Sequence, residues 1–113
     1  MNKIGGNIKL IFQVKKETGK DKIGTPVLEW ADVQTLKGWL DFMAGGARYG
    51  QYNAKIEDST HIFLSDFEPL DKRIKAETAR AIINGEIYDI KLIDNPMQMN
   101  KHYEIYLKYT GGQ

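Results

Sequence analysis

Cysteine is absent from this 113-residue sequence, which excludes a disulfide framework and a zinc site built on thiolates. The absence also fits a protein of a reducing compartment. No apolar run approaches the roughly 18 residues that a membrane-spanning helix needs, and no signal peptide is visible. We therefore expect a protein that is made and remains in a cytoplasm, without a membrane partner.

An excess of one charge sign is also missing, since the formal net charge is only +1. Any nucleic-acid role would therefore rest on a local patch, because a general polyanion binder carries a strong net charge. The apolar fraction of 42% and the charged fraction of 27% are those of an ordinary soluble globular protein. The length predicts a single domain over residues 1–113.

Patterns typical of catalysis are absent. His61 and His102 have no partner at metal-ligand spacing, and the glycines at 45, 46 and 50 lack the lysine and hydroxyl residue of a phosphate-binding loop. The acidic residues that could form an acid and base pair lie beside turns and strand ends, as solvated carboxylates do: Asp41, Glu57, Asp58, Asp66 and Glu68. We predict no catalytic residue, no metal site, no cofactor and no enzymatic activity.

Alternating apolar and polar residues predict strands at 7–16, 59–65 and 102–110. In the first strand, one face carries Ile8, Leu10, Phe12 and Val14. In the last strand, we expect the inward residues to be Tyr103, Ile105, Leu107 and Tyr109. Residues 17–26 have the composition of an exposed loop or hairpin tip, and residues 66–74, which contain Pro69, are predicted to be a surface connection.

Two further segments complete the predicted sheet. Asn84-Gly85 joins two apolar runs and predicts a tight hairpin over 79–93 with a type I′ turn, which a turn at Asn95-Pro96 follows. Residues 27–43 are ambiguous between helix and strand, and we favour strands with an irregularity near Ala31-Asp32. The core and hairpin residues of this half are predicted to be Trp30, Trp39, Asn84, Gly85, Tyr88 and Pro96, although one tryptophan could instead lie at a subunit interface.

The predicted fold is mainly all-β: a small antiparallel barrel or sandwich of about six strands, with a long flexible insert that has room for a short helix. The insert (residues 41–57) includes the stretch DFMAGGARYGQYNAK. Arg48, Tyr49 and Tyr52 in this insert could stack on bases and contact phosphate, as in a small β-barrel that binds single-stranded nucleic acid. The simpler interpretation is that these tyrosines cover the flank of the barrel.

The order of the features carries a family resemblance. Glu29, Trp30, Asp32 and Val33 open the second strand, and Thr60-His61-Ile62 enter the next. Arg80, the turn glycine Gly85, the aromatic Tyr88 and the closing Asn95-Pro96 then follow in sequence. From Ile8 to Tyr109, the chain resembles the head–tail joining proteins of tailed bacteriophages, also called head-closure, adaptor or stopper proteins.

The resemblance implies a structural ring of twelve copies in the neck of the virion, assembled in the bacterial host cytoplasm. Its partners would be a portal or adaptor ring protein, a tail or tail-completion protein, and channel DNA bound without sequence specificity. The ring would join the filled head to the tail and help to close the channel. The 17–26 loop and the last strand would face neighbouring copies.

The insert would supply a loop that points into the ring lumen, with these candidate assembly residues: Met43, Gly45, Gly46, Arg48, Tyr49, Gly50, Tyr52 and Lys55. Many relatives carry a helix-forming insert at this place, whereas three glycines disfavour an isolated helix here. We expect the insert to be disordered in the free monomer and to become ordered in the ring, because few apolar side chains offset its ordering entropy.

Overall fold

The computed structural model describes residues 3–43, 56 and 58–112, and its six antiparallel strands close into a barrel. The strands are β1 (Ile8–Lys20), β2 (Pro26–Phe42), β3 (His61–Asp66), β4 (Arg80–Ile83), β5 (Glu86–Asp94) and β6 (His102–Gly112). Their order around the barrel is β1-β2-β3-β6-β5-β4. The pairing of Phe12 with Ala81 lies in the β1–β4 ladder that closes the ring. The structure confirms the all-β prediction and decides between barrel and sandwich.

The barrel interior is filled by the inward faces of the strands. The fully buried large side chains include Leu10, Phe12, Leu36, Phe63, Ile83, Ile90, Ile105 and Leu107. The predicted apolar face of β1 is confirmed, since Leu10, Phe12 and Val14 are buried and Ile8 packs against them. Tyr109 continues the inward alternation and pairs with the buried Tyr88, but it is not part of the core, since it lies near the end of β6 and is 40% exposed.

β2 is one long strand, which resolves the ambiguity over residues 27–43. Its pairing with β1 shifts between Phe12 and Gln13, so that Val33 is an extra residue in the ladder. This bulge lies one residue after the predicted irregularity. Side chains alternate between the two faces of a strand, so residues nine positions apart normally lie on opposite faces. The extra residue Val33 shifts this alternation by one position, and Trp30 and Trp39 therefore both lie on the outer face of the barrel.

The prediction that both tryptophans belong to the core was therefore wrong. Trp39 is 50% exposed, and its indole N–H donates to the Ile4 carbonyl at 3.0 Å. Trp30 is partly buried but lies outside the core cluster. The other member of the predicted core pattern, Tyr88, is buried in the interior as expected.

The predicted hairpin is confirmed. β4 and β5 are joined by Asn84 and Gly85, whose φ angles of 52° and 78° are the positive values that a type I′ turn requires. Pro96 begins a short 3₁₀ turn, Pro96–Gln98, between β5 and β6. The connection before β4 is only partly a surface segment, since Ile74 is buried and Phe67 packs against the core.

The segment 17–26, predicted to be an exposed loop or hairpin tip, is the exposed end of the β1–β2 hairpin, and half of its residues belong to the two strands. β1 continues to Lys20 and pairs there with Pro26, which leaves residues 21–25 as the turn. The ladder between β1 and β4 ends at Gln13, so residues 15–30 form a two-stranded ribbon that we call the arm. The first strand was predicted to end at residue 16, because an exposed ribbon satisfies its backbone hydrogen bonds without an apolar face and so gives no alternation to follow.

Candidate assembly surfaces

The arm exposes large apolar side chains. Ile23 at its tip is 87% exposed and Leu28 on β2 is 55% exposed, and Val27 beside it is also exposed. The tip itself is held by hydrogen bonds, because Asp21 Oδ1 accepts the backbone N–H of Ile23 at 3.0 Å and that of Thr25 at 2.9 Å. The turn thus holds an unburied isoleucine away from the barrel.

A cluster at the base of the arm connects it to the barrel wall. The Arg80 guanidinium lies 4.2 Å from the centre of the Trp30 ring, and Lys15 Nζ lies 5.4 Å from the same centre. Arg80 Nε donates to Gln13 Oε1 at 2.8 Å, and Gln13 Nε2 donates to Asp32 Oδ1 at 2.7 Å. We call these five residues the Trp30–Arg80 cluster.

The Trp30–Arg80 cluster gives a physical meaning to part of the family pattern. In the sequence, Trp30 and Asp32 were noted at the start of the second strand, and Arg80 was noted separately before the hairpin. The structure brings them together, with Gln13 as the link between the aspartate and the guanidinium. Cation–π contacts of this kind contribute about 0.5–2 kcal/mol each. The cluster therefore stabilises the direction in which the arm leaves the barrel.

Aromatic side chains gather at the opposite end of the barrel, where β2 ends and β3 begins. The His61 ring makes edge contacts with Phe42 and Tyr88, at centroid distances of 5.4 and 5.2 Å. Tyr109 lies 5.4 Å from Tyr88, and its hydroxyl donates to Glu86 Oε2 at 2.7 Å. Phe42 is largely exposed, so this aromatic end offers a second apolar surface.

The position of His61 leads to a prediction about pH. Burial lowers the pKa of His61 below its ordinary value of 6.5, although the Glu86 carboxylate opposes the shift. The imidazole of His61 therefore binds a proton more readily in the unfolded chain than in the folded protein. The contribution of His61 to stability is present above pH 6.5 and is lost as the pH falls through the lowered pKa. An NMR titration should show His61 titrating below 6.5 in the folded protein. Titration at or above that value would contradict the burial of its ring.

Two of the acidic residues that the sequence offered as catalytic candidates, Asp58 and Asp66, take part in structural contacts. Asp58 bonds to Lys108 Nζ at 3.1 Å and to Lys91 Nζ at 3.3 Å, and these lysines lower its pKa. The Asp66 carboxylate accepts the backbone N–H groups of Ile4 and Gly5, which lower its pKa. These contacts tie the chain before β3 and the N-terminal segment to the barrel.

Only one residue of the candidate luminal loop is described. Met43 is buried, and its N–H donates to the Thr60 carbonyl at 2.8 Å. The other loop residues, together with Glu57, lie outside the described residues: Gly45, Gly46, Arg48, Tyr49, Gly50, Tyr52 and Lys55. The luminal loop, its order in the ring, its possible helix and the stacking platform of Arg48, Tyr49 and Tyr52 therefore stay predictions.

Sequence reasoning missed the arm and the exposed Phe42. The signal for the arm was Ile23, a lone isoleucine in an otherwise polar turn that has no strand alternation to bring it into a core. Phe42 gave no such signal, because the alternation along its strand places it on the inward face. It is exposed because it lies at the open end of the barrel.

In the part of the chain that the structure describes, no group of three or more His, Asp or Glu residues is placed to hold a metal ion. No described helix is long and apolar enough to cross a membrane. The fold is a small antiparallel β-barrel with apolar side chains exposed on its arm and at its aromatic end. The model of the phage head completion protein family matches residues 2–108, and the chain belongs to this family.

Family membership confirms the resemblance seen in the sequence. The family is structural rather than enzymatic, and the chain has a structural role in phage head assembly. It is a component of the virion and acts together with other head or tail proteins.

The fold is similar to that of a solved structure, the solution structure of protein SF1141 from Shigella flexneri 2a. The TM-score is 0.71, with 20% sequence identity over 97% of each chain. At this identity the similarity concerns the fold alone. A comparison with curated proteins found no match.

Proposed function

We propose that this chain is the subunit of a ring of twelve copies in the phage neck, which joins the DNA-filled head to the tail. One side of the ring binds a portal or adaptor ring protein, and the other binds a tail or tail-completion protein. The ring helps to close the channel after packaging and contacts the DNA without sequence specificity. Membership of the head completion family supports the general role, and the exposed arm supports assembly.

The single observation that carries the ring proposal is the exposure of Ile23 and Leu28 on the arm. An isolated two-stranded ribbon is marginally stable in water, so the arm gains stability when a second surface covers it. Full burial of an isoleucine or leucine side chain contributes about 1.5–3 kcal/mol. In a ring each copy gives its arm to one neighbour and receives an arm from the other, which is a head-to-tail contact that closes on itself.

The insert between β2 and β3 is the proposed luminal loop. It leaves the barrel beside the aromatic end, whereas the arm leaves from the opposite end. This arrangement lets the arm contact neighbouring copies while the insert reaches towards the channel. Shortening residues 44–55 is then expected to leave the monomer folded and to give particles that lose DNA or fail to accept tails.

The test of the ring compares two double variants matched for exposure. Ile23→Ser with Leu28→Ser removes the apolar residues of the arm, whereas Met97→Ser with Met99→Ser changes side chains that are 88% and 52% exposed on the turn before β6. We expect both proteins to fold as monomers with the same far-UV circular dichroism. The arm variant should lose rings by analytical ultracentrifugation and electron microscopy, and should not complement a phage that lacks the gene.

Rings or normal phage titres from the arm variant would contradict the proposal, as would equal loss from the methionine variant. The alternative function, binding of single-stranded nucleic acid, predicts that the monomer binds oligonucleotides with an affinity that falls as salt is raised. The ring proposal predicts little or no such binding.

A further inference from the structure

The guanidinium of Arg80 is held in one plane but retains unused donors. Stacking on Trp30 at 4.2 Å fixes the plane, and the bond from Nε to Gln13 fixes its rotation. The two terminal nitrogens of the guanidinium have no hydrogen-bond partner among the residues that the structure describes. Asp89 lies directly opposite on β5, yet it makes no ion pair with Arg80. The guanidinium is therefore oriented without a counter-ion.

A guanidinium that is held in one orientation without a counter-ion still lacks an ionic partner. Burial lowers the pKa of Arg80, although an arginine remains charged at neutral pH. A partly desolvated charge without an ionic partner costs free energy, and an anion that reaches it recovers that cost. Arg80 lines a surface pocket of about 400 Å³, together with Lys15, Trp30 and Thr78. The pocket has room for one side chain.

The charges around the pocket favour a single carboxylate over a nucleic-acid backbone. The pocket is lined by two carboxylates, Glu77 and Asp89, and by two cations, Lys15 and Arg80, so its formal charges balance. Closely spaced phosphates would meet these two carboxylates, whereas one carboxylate can approach the guanidinium alone. Leu28 is two residues from Trp30 on the same face of β2, so an exposed apolar surface continues from the pocket along the arm.

We propose that the Arg80 pocket binds an Asp or Glu side chain of a protein partner, whose adjacent apolar residues cover Trp30 and Leu28. The carboxylate accepts two parallel hydrogen bonds from the guanidinium, in the geometry that arginine offers and lysine does not. The assignment of the partner to the phage neck rests on the proposed function, whereas the binding chemistry does not.

The experiment uses the full chain labelled with ¹⁵N and two capped tripeptides, N-acetyl-Leu-Glu-Leu-amide and its Gln counterpart. We expect the Glu peptide to shift the Arg80 Nε–Hε and Trp30 indole signals saturably and to bind at least about tenfold more tightly than the Gln peptide. This comparison uses the unchanged protein, so it does not depend on the folding of a variant. No saturable shift, or equal binding of both peptides, would overturn the proposal.

Variants then locate the site. Arg80→Lys keeps the positive charge but loses the planar guanidinium that donates two parallel hydrogen bonds. We expect this variant to bind the Glu peptide about tenfold more weakly. Arg73→Lys is the matched control, because Arg73 already pairs with Asp71 at 2.9 Å, and binding should not change. Tighter binding of inorganic phosphate or a single-stranded oligonucleotide than of the Glu peptide would also overturn the proposal. None of these binding measurements requires the protein to form rings. A failure of the carboxylate proposal is therefore distinguishable from a failure of the ring proposal.

Discussion

Replacing Phe63 with alanine is expected to lower the free energy of unfolding by about 3–5 kcal/mol, a large part of the stability of a domain of this size. Phe63 lies on β3 with no exposed surface, and it belongs to the cluster that fills the barrel. The truncation removes its transfer free energy and leaves a cavity that a closed barrel cannot collapse to fill. Urea denaturation followed by circular dichroism measures the change.

The control for this prediction is Trp39→Ala, which removes a larger side chain. Because Trp39 is 50% exposed and on the outer face, its replacement should cost mainly the hydrogen bond to Ile4, about 0.5–1.5 kcal/mol. An effect as large as that of Phe63→Ala would mean that the tryptophan is part of the core after all. The comparison thus tests the orientation of β2, which the bulge at Val33 sets.

The second large effect is expected at Gly38. A Cβ atom at this position would lie 2.0 Å from the Leu64 carbonyl oxygen, a backbone atom of the paired strand β3. Gly6 also packs closely against Gly38, since a Cβ at Gly6 would lie 2.3 Å from the Gly38 carbonyl oxygen. Gly38→Ala must therefore separate backbone segments, and we expect a loss of about 1–3 kcal/mol or more by thermal or urea unfolding.

Lys37→Ala on the same strand is the control for Gly38→Ala. Lys37 is exposed, and a surface change of this kind usually alters stability by less than about 0.5 kcal/mol. Equal stability of the two variants would mean that the N-terminal segment, β2 and β3 are not packed as closely as the structure shows. That result would also question the path by which the chain before β1 reaches Asp66.

The Trp30–Arg80 cluster relates these stability arguments to assembly. The barrel holds β1, β2 and β4 side by side, and their outer faces place Gln13, Trp30 and Arg80 in contact. The arm can present Ile23 in a defined direction because this cluster holds its base. The same cluster leaves an oriented guanidinium beside the arm, so one set of residues serves both the direction of the arm and the proposed carboxylate pocket.

Local patterns were sufficient for several elements. Alternation identified the buried face of β1 because inward and outward side chains alternate strictly in a strand. Asn84-Gly85 identified the hairpin because both residues must adopt positive φ angles, which few residue types tolerate. The ordered combination of such features also predicted a head–tail joining protein of tailed bacteriophages, and the match of the head completion family over residues 2–108 confirms that resemblance.

Other features depend on partners that are distant in the sequence. The choice of a barrel depends on the β1–β4 ladder, whose paired residues are nearly seventy positions apart. The orientation of Trp39 depends on a single extra residue at Val33, because one inserted residue exchanges the faces of the strand beyond it. The exposure of Tyr109 depends on where the barrel core ends along β6, which alternation does not reveal.

The sequence by itself thus determined the strand content, the hairpin turn and the family, because backbone preference and side-chain alternation are local properties. The tertiary structure alone decided that residues 15–20 and 26–30 form an arm, that Arg80 stacks on Trp30, and that Phe42 is exposed at the barrel end. These features arise from strand pairing across the barrel, where the register of one strand sets the neighbours of another. Assembly surfaces belong to this second group, since they consist of what the closed barrel leaves uncovered.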